Sequence, residues 1–230
     1  MLTNFRISAS SYKTFKACTR RWWWAKVRGV PEPEQPHLQL GSDVHSVCED
    51  YLRGRIELPP ESRAGRIAGA GWSILGDLRC QVEHVEAPVR GRCGEIPYLG
   101  YLDMMDTRDP WIGDHKTSSN IGRWGENEYT LAYNDQLLFY SYAAFRELRP
   151  AVVKLTHVYY ATKGRPRAVR VDSEVSWDRV EDKWSQFVAV GAAMLQLATV
   201  SDQSEVPYDT TACHAYGREC PYATICKRGQ

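Results

Sequence analysis

Surplus charge of one sign is the first thing the sequence lacks. Lysine and arginine total 29 against 28 acidic residues, a net charge of +1. No bulk positive potential announces a nucleic-acid partner, so any such partner must be met by a local patch. Long apolar runs are missing as well. No stretch approaches the roughly 18 apolar residues of a membrane span, and Met1 to Arg6 lead into a polar segment rather than the apolar core of a signal peptide. The sequence therefore predicts a cytoplasmic protein with no membrane partner. A G-x-x-x-x-G-K-[ST] phosphate loop is absent, so any helicase activity must come from another chain. No fixed-period repeat and no low-complexity tract are present, which disfavours solenoids and disordered chains.

What is present is ordinary globular material. The 230 residues are 43% hydrophobic and 25% charged, enough for a sizeable core in one or at most two domains. Seven cysteines are an odd number, and without a secretion signal they read as reduced thiols or metal ligands rather than a disulfide framework. Cys18, Cys48, Cys80 and Cys93 are scattered singly, whereas Cys213, Cys220 and Cys226 crowd the C-terminal run CHAYGRECPYATIC. The scattered Cys48, Cys80 and Cys93 read as small core hydrophobes.

Hydrophobic periodicity predicts one amphipathic helix from Ser8 to about Arg28, a proline-rich loop over residues 29–37, and a second helix from near Leu40 to Gly54 that carries His45 and Glu49 four apart. A glycine-interrupted helix follows over 62–80. Three sequential strands joined by hairpins then cover QVEHVEAPVRGRCG, IPYLGYLDMMDTR and WIGDHKTS. A strong helix is predicted over 129–148, two strands around a Lys163–Gly164 turn, and a last helix over 176–200. The pattern is a mixed α/β class, a sheet flanked by helices, in a single domain spanning 1–230. Its parts are a helical region (1–80), a core (81–200) and a cysteine tail (201–230).

The chemistry concentrates in LGYLDMMD and GDHKTS. A hairpin between these strands brings Asp103 and Asp114 together, and a divalent cation such as magnesium or manganese would remove the repulsion between two close carboxylates. Asp114 and Lys116 share a strand face, which puts an ammonium beside that pair, while His115 points the other way with its carbonyl still close to the carboxylates. A lone D-x-K is more often a solvated salt-bridge cluster, and a lone helix histidine such as His45 is more often half-buried structure than ligand.

In order and spacing, His45 in GSDVHSVCE, Asp103, Asp114 with Lys116, and Gln136 in DQLLFYSYA resemble the RecB-like branch of the PD-(D/E)XK nuclease superfamily. The serine-rich start, the cysteine and the basic-aromatic run SASSYKTFKACTRRWW are similar to that branch too, and the C-terminal cysteines resemble its iron-sulfur subgroup. The resemblance implies a restriction-endonuclease-like core. It implies that His45, Asp103, Asp114 and the His115 carbonyl hold Mg2+ or Mn2+, that Lys116 positions or activates the attacking water, and that Gln136 and Tyr140 support the site and contact substrate. Glu49 matches an acidic position one turn after the histidine. Cys18, Cys213, Cys220 and Cys226 are implied to bind one 4Fe-4S cluster joining the chain ends, although six residues separate Cys213 from Cys220 where the family commonly has two. Four thiolates suit structural zinc equally well on chemistry alone.

The resulting expectation is a metal-dependent deoxyribonuclease, an exonuclease on single-stranded DNA ends, from a bacterial, archaeal or phage-infected cell, with a helicase or recombination protein as a further partner. Two other readings stand beside it: a structure-dependent endonuclease that trims flaps or processes CRISPR DNA, and a non-catalytic iron-sulfur DNA-binding module. Trp22, Trp23 and Trp24 cannot all face one way on a helix, so packing and base stacking both remain open for them. Arg20, Arg21, Lys26 and Arg28 are candidate phosphate contacts.

Overall fold

The computed structural model describes residues 5–33, 36–217 and 219–226; the first four residues and the last four, with 34, 35 and 218 of the proline loop and the cysteine tail, lie outside the described set. The chain gathers into two compact units, one drawn from the described residues of 1–34, 90–99 and 184–230, the other from those of 35–89 and 100–183. A five-stranded sheet has the order β1(His84–Cys93)-β2(Ile96–Asp106)-β3(Trp111–Ser118)-β4(Val152–Ala161)-β5(Ala168–Ser176). The strands β2 and β3 are antiparallel, β3 and β4 parallel, and β4 and β5 antiparallel. The mixed sheet flanked by helices is the one the sequence predicts. Only the β3-to-β4 connection needs a crossover, and it carries α6(Ile121–Trp124), α7(Glu128–Leu131) and α8(Asp135–Leu148).

The second unit holds most of the sheet. Along β2 burial alternates with period two, Leu102, Met104 and Asp106 buried and Tyr101, Asp103 and Met105 more open, so the strand presents Asp103 on the row opposite its apolar one. Met104 of that row and Trp111, Val158 and Tyr160 pack with Val44, Cys48 and Leu52 of α3(Pro36–Leu52), Ile67 of α4(Arg63–Gly69), and Leu75 and Leu78 of α5(Trp72–Arg79). The helix α3 starts four residues earlier than its periodicity predicts. The predicted 62–80 helix is two helices because Gly71 meets the sheet there: a Cβ would sit 2.7 Å from the Tyr160 ring. The predicted 129–148 helix is also split. Asn120, Asn127 and Asn134 each accept a backbone N–H with the side chain and cap α6, α7 and α8 in turn, so local capping overrides the apolar periodicity. Arg149, at φ 51, ends α8.

In the first unit the predicted single N-terminal helix is two, α1(Ala9–Ala17) and α2(Thr19–Lys26). Ser8 opens α1 with a capping box. Cys18 stands between the helices in extended conformation, φ −162 and ψ 112, its N–H still donating to the Thr14 carbonyl and its own carbonyl accepting from Trp22. Periodicity runs straight through this break because its causes are distant in sequence. The bend sets Trp22 edge-on against Phe15 at 5.1 Å, lets Arg20 donate twice to the Val206 carbonyl, and lets the Trp23 indole donate to the Val200 carbonyl. Trp22 and Trp23 are wholly buried, Trp24 is half-buried edge-on to Trp23 at 4.9 Å, and Tyr12 packs on Phe187 at 4.5 Å. Arg20 is buried, Arg21 pairs with Glu32, and Arg28 lies over the Trp23 ring; of the four cations proposed from sequence as phosphate contacts, these three serve the fold. The helix α9(Trp177–Leu197) runs on from the second unit into the first. Cys48 and Cys93 are buried as expected, but Cys80 is exposed at the end of α5. Among the described residues no helix is long and apolar enough to cross a membrane.

Candidate active site and thiol cavity

The register of β2 on β3 pairs Met104 with Gly113; continued by one step it sets Asp103 opposite Asp114, and the His115 N–H donating to Asp103 keeps the two strands adjacent there. The charges of both carboxylates reach His45. Each is held by its own partners. One Asp103 oxygen accepts the His115 backbone N–H at 2.7 Å and meets His45 Nδ1 at 3.2 Å. Burial works against its charge, but the His45 hydrogen bond and the neighbouring imidazoles outweigh that and hold Asp103 at about 2. His45 is half-buried; desolvation opposes its protonation, yet Asp103 and the more distant Asp114 raise its pKa above the ordinary imidazole value.

Asp114 is 3% exposed and forms the centre of a closed polar ring. The Lys116 ammonium makes an ion pair with Asp114 and donates to Gln136 Oε1 at 2.8 Å, while Gln136 Nε2 donates to the other Asp114 oxygen at 2.7 Å. Gln136 reaches this position because it lies in the first turn of α8, where its own N–H is taken by the capping Asn134 side chain. Two β3 residues and one α8 residue thus fix one another, and the ammonium cannot swing away without losing two partners. Tyr140, one turn further along α8, is buried against the backbone of Gly100: a Cβ at Gly100 would lie 2.3 Å from the Tyr140 ring. Burial and the charges of Asp114 and Asp103 raise the Tyr140 phenol to about 12, so it stays a neutral hydroxyl beside the carboxylates.

The His115 side chain alternates away from Asp114, as strand geometry predicts. It is 2% exposed, its ring 5.8 Å from that of His45 and its Nδ1 3.4 Å from the Tyr160 hydroxyl; burial pushes it down to about 4, so the imidazole is neutral. Glu49, one turn after His45, is taken up in ion pairs with Arg53 at 2.8 Å and Arg55 at 3.6 Å. Sequence reasoning missed Glu86. This residue of β1 has φ 54, a left-handed backbone rare for a glutamate, and burial with the charges of Asp103 and Glu49 raises its carboxyl above the usual range. No local signal in VEAP announces that conformation.

Among the described residues no group of three or more His, Cys, Asp or Glu side chains is assembled as a metal-holding set. His45 meets the Asp103 carboxylate and Lys116 pairs with that of Asp114. The donors themselves, two carboxylates and an imidazole, suit a hard divalent cation.

Cys18, Cys213, Cys220 and Cys226 all line one cavity in the first unit, together with Arg21, Trp24, Tyr208, Ala212, Tyr222 and Ala223. All four are free thiols. The helix break at Cys18 turns that residue toward the tail. The long spacer between Cys213 and Cys220 is closed by the Cys220 N–H donating to the Cys213 carbonyl at 2.8 Å, which returns the chain to the same cavity despite the unusual spacing. The Tyr222 hydroxyl donates to the Val30 carbonyl and pins the tail. Among the described residues the lining holds no carboxylate and no imidazole.

A mixed sheet carrying Asp103 on β2 and the D-x-K residues Asp114 and Lys116 on β3 is the frame on which the comparisons with known proteins bear. The model of the PD-(D/E)XK nuclease superfamily matches residues 6–74 and 82–227, and the chain belongs to that superfamily. Among solved structures, a candidate exonuclease of Eubacterium rectale is similar to the chain at 12% identity, over 91% of this chain and 88% of its own, with a TM-score of 0.53. The structure of the protein SSO0001 matches at 14% identity over 99% of this chain and 88% of its own, with a TM-score of 0.49. No curated protein matches. Membership makes the protein a nuclease, a hydrolase acting on DNA.

Proposed function

We propose that the protein is a divalent-metal-dependent deoxyribonuclease that degrades single-stranded DNA from an end, with His45, Asp103, Asp114 and the His115 carbonyl as the holders of Mg2+ or Mn2+. The observation that carries this reading is the opposition of Asp103 and Asp114 across the hairpin, with Lys116 and Gln136 closing a polar ring on the second of them. When bound, the cation would act as a Lewis acid on the phosphodiester and lower the pKa of a water. The protein's own part follows from its hydrogen bonds. Asp103, ionised at any physiological pH, presents a fixed negative charge, and His45 holds an imidazole nitrogen against it. Lys116, held by Gln136, keeps an ammonium where charge builds on the phosphoryl oxygens during in-line attack and orients the attacking water. Gln136 and Tyr140 hold the lysine and the α8 face against which the strand would lie. The products would carry 5′-phosphates and 3′-hydroxyls, with no covalent enzyme intermediate.

The four cysteines that line one apolar cavity are proposed as ligands of a structural 4Fe-4S cluster. An all-thiol donor set suits soft iron-sulfur chemistry. The role is a staple between α1–α2 and the tail. A helicase or recombination protein acting ahead of the enzyme would supply its single strands, because the sequence has no nucleotide-binding loop of its own.

The deciding experiment incubates anaerobically purified protein with end-labelled linear and circular single-stranded DNA in magnesium, manganese or EDTA, beside Lys116→Ala. Metal-dependent loss of the linear strand alone, abolished in the variant, is the expected result. Cutting of the circle would replace the exonuclease reading with an endonuclease, and no cleavage in either metal would remove the catalytic reading. In parallel, visible absorption with iron and sulfide analysis tests the cluster: a colourless protein holding zinc would refute it.

A further inference from the structure

Of the tryptophan run that the sequence offered for base stacking, Trp22 and Trp23 are buried and Trp24 is half-buried, but more exposed rings gather elsewhere. In the second unit, Trp124 is 48% exposed, Tyr129 71% and Tyr133 47%, all within ten residues of the crossover. The first part of that crossover leaves β3 two residues after Lys116 and runs to Asn134, the cap of the helix that carries Gln136, so in sequence it is flanked at both ends by residues of the polar ring. Tyr101, 51% exposed, stands two residues before Asp103 on the same open row of β2.

The rings are not loosely hung. Tyr129 and Tyr133 lie 5.2 Å apart, and guanidinium groups cover two of the faces: Arg179 is 4.4 Å from the Tyr133 centroid and Arg123 is 4.6 Å from that of Trp124. Beneath them Ile121 and Leu131 are buried, and Glu126 fastens the segment to the sheet. Its carboxylate accepts from Asn134 at 2.9 Å and from the Tyr159 hydroxyl at 3.2 Å, meets His157 at 3.0 Å, and its N–H donates to that same hydroxyl. Exposed aromatic faces held on such a scaffold cost little further ordering on binding. A groove beside Tyr129 is lined by Glu128, Asp172 and Glu174 as well as Arg179, so it is a poor phosphate channel; what it offers a ligand is ring surface.

We infer that Trp124, Tyr129 and Tyr133 form a stacking platform for the unpaired bases of a single DNA strand on its way to the Asp103–Asp114 site. This rests on the nuclease reading above and adds its substrate recognition. Paired bases already spend their faces on one another, whereas every unpaired base has a face to give, so the platform selects single strands without reading sequence.

The test measures binding by fluorescence anisotropy in EDTA, where nothing is cut, using a short fluorescein-labelled thymidine strand, an abasic strand of equal length and charge, and a blunt duplex. Wild-type protein should bind the thymidine strand at least about tenfold more tightly than the other two, and Tyr129→Ala/Tyr133→Ala should lose about tenfold or more. Tyr129→Phe/Tyr133→Phe keeps the rings and should restore the affinity. Equal binding of abasic and thymidine strands by the wild type overturns the proposal, whatever the variants do to folding. So does an alanine variant with native melting and undiminished affinity. Base-dependent binding in a protein that never cleaves would uphold the platform and defeat the nuclease reading instead.

Discussion

Gln136→Leu isolates the polar ring around Asp114. Leucine keeps the helix propensity and approximate volume at the start of α8, so the substitution removes little besides two hydrogen bonds: Nε2 to Asp114 at 2.7 Å and Oε1 from Lys116 at 2.8 Å. The two losses differ in cost. The Lys116 side chain is about one-third exposed, and water can replace the Oε1 acceptor, whereas the Asp114 side chain is 4% exposed and its Oδ1 loses a donor that water cannot replace. A charged buried acceptor left short of one donor costs about 1.5–3 kcal/mol. For a chain of this length each kcal/mol moves Tm by about 2–4 °C, so a fall of about 3–12 °C is expected by differential scanning fluorimetry. The lysine, held afterwards only by its ion pair, should lose alignment, and a misplacement of this kind lowers kcat by about 10–100-fold with little change in KM. Steady-state cleavage of a labelled single strand reads both constants. A Tm within a degree of wild type together with an unchanged kcat would refute the ring as a positioning device.

Other outcomes follow from the same contacts. Gly100→Ala places a Cβ 2.3 Å from the Tyr140 ring, so it should cost about 1–3 kcal/mol in denaturant titration and slow cleavage by displacing Tyr140; native stability would show that the ring moves freely. In metal-free protein the raised pKa of His45 contributes stability that is complete below about 6.5 and lost as pH rises through the higher folded value, while Asp103 contributes stability present above about 3.8 and lost as pH falls toward about 2. Melting temperatures across these two windows, flattened in the alkaline one by His45→Gln, check both signs. Arg20→Met should lower Tm by breaking the two bonds to Val206 while leaving affinity for single-stranded DNA unchanged; weakened DNA binding at native stability would return that arginine to the phosphate-contact role.

Much of the site could be read from residue types and spacing. Period-two alternation in IPYLGYLDMMD and WIGDHKTS is local, and the turn between them fixes the register, so the opposition of Asp103 and Asp114 follows from the strands themselves. The sheet class and all five strands were legible for the same reason. Helix existence was legible and helix continuity was not. The breaks at Cys18 and Gly71 answer to partners far away in sequence, Val206 and Tyr160, while the break before Asn134 comes from a cap competing with periodicity.

What the sequence by itself determined, then, is the chemistry: a carboxylate pair with a lysine, a histidine one helix away, and a set of cysteines weighted to the tail. Only the tertiary structure decided how those groups are used. It spent Trp22, Trp23 and Arg20 on packing, turned Cys18 into the cavity of the tail cysteines, gave Glu86 its left-handed backbone, and left Trp124, Tyr129 and Tyr133 exposed on the crossover. The reason is physical. Alternation and helical period report which face of an element is apolar, but which apolar faces find partners depends on contacts between segments that the local pattern does not contain.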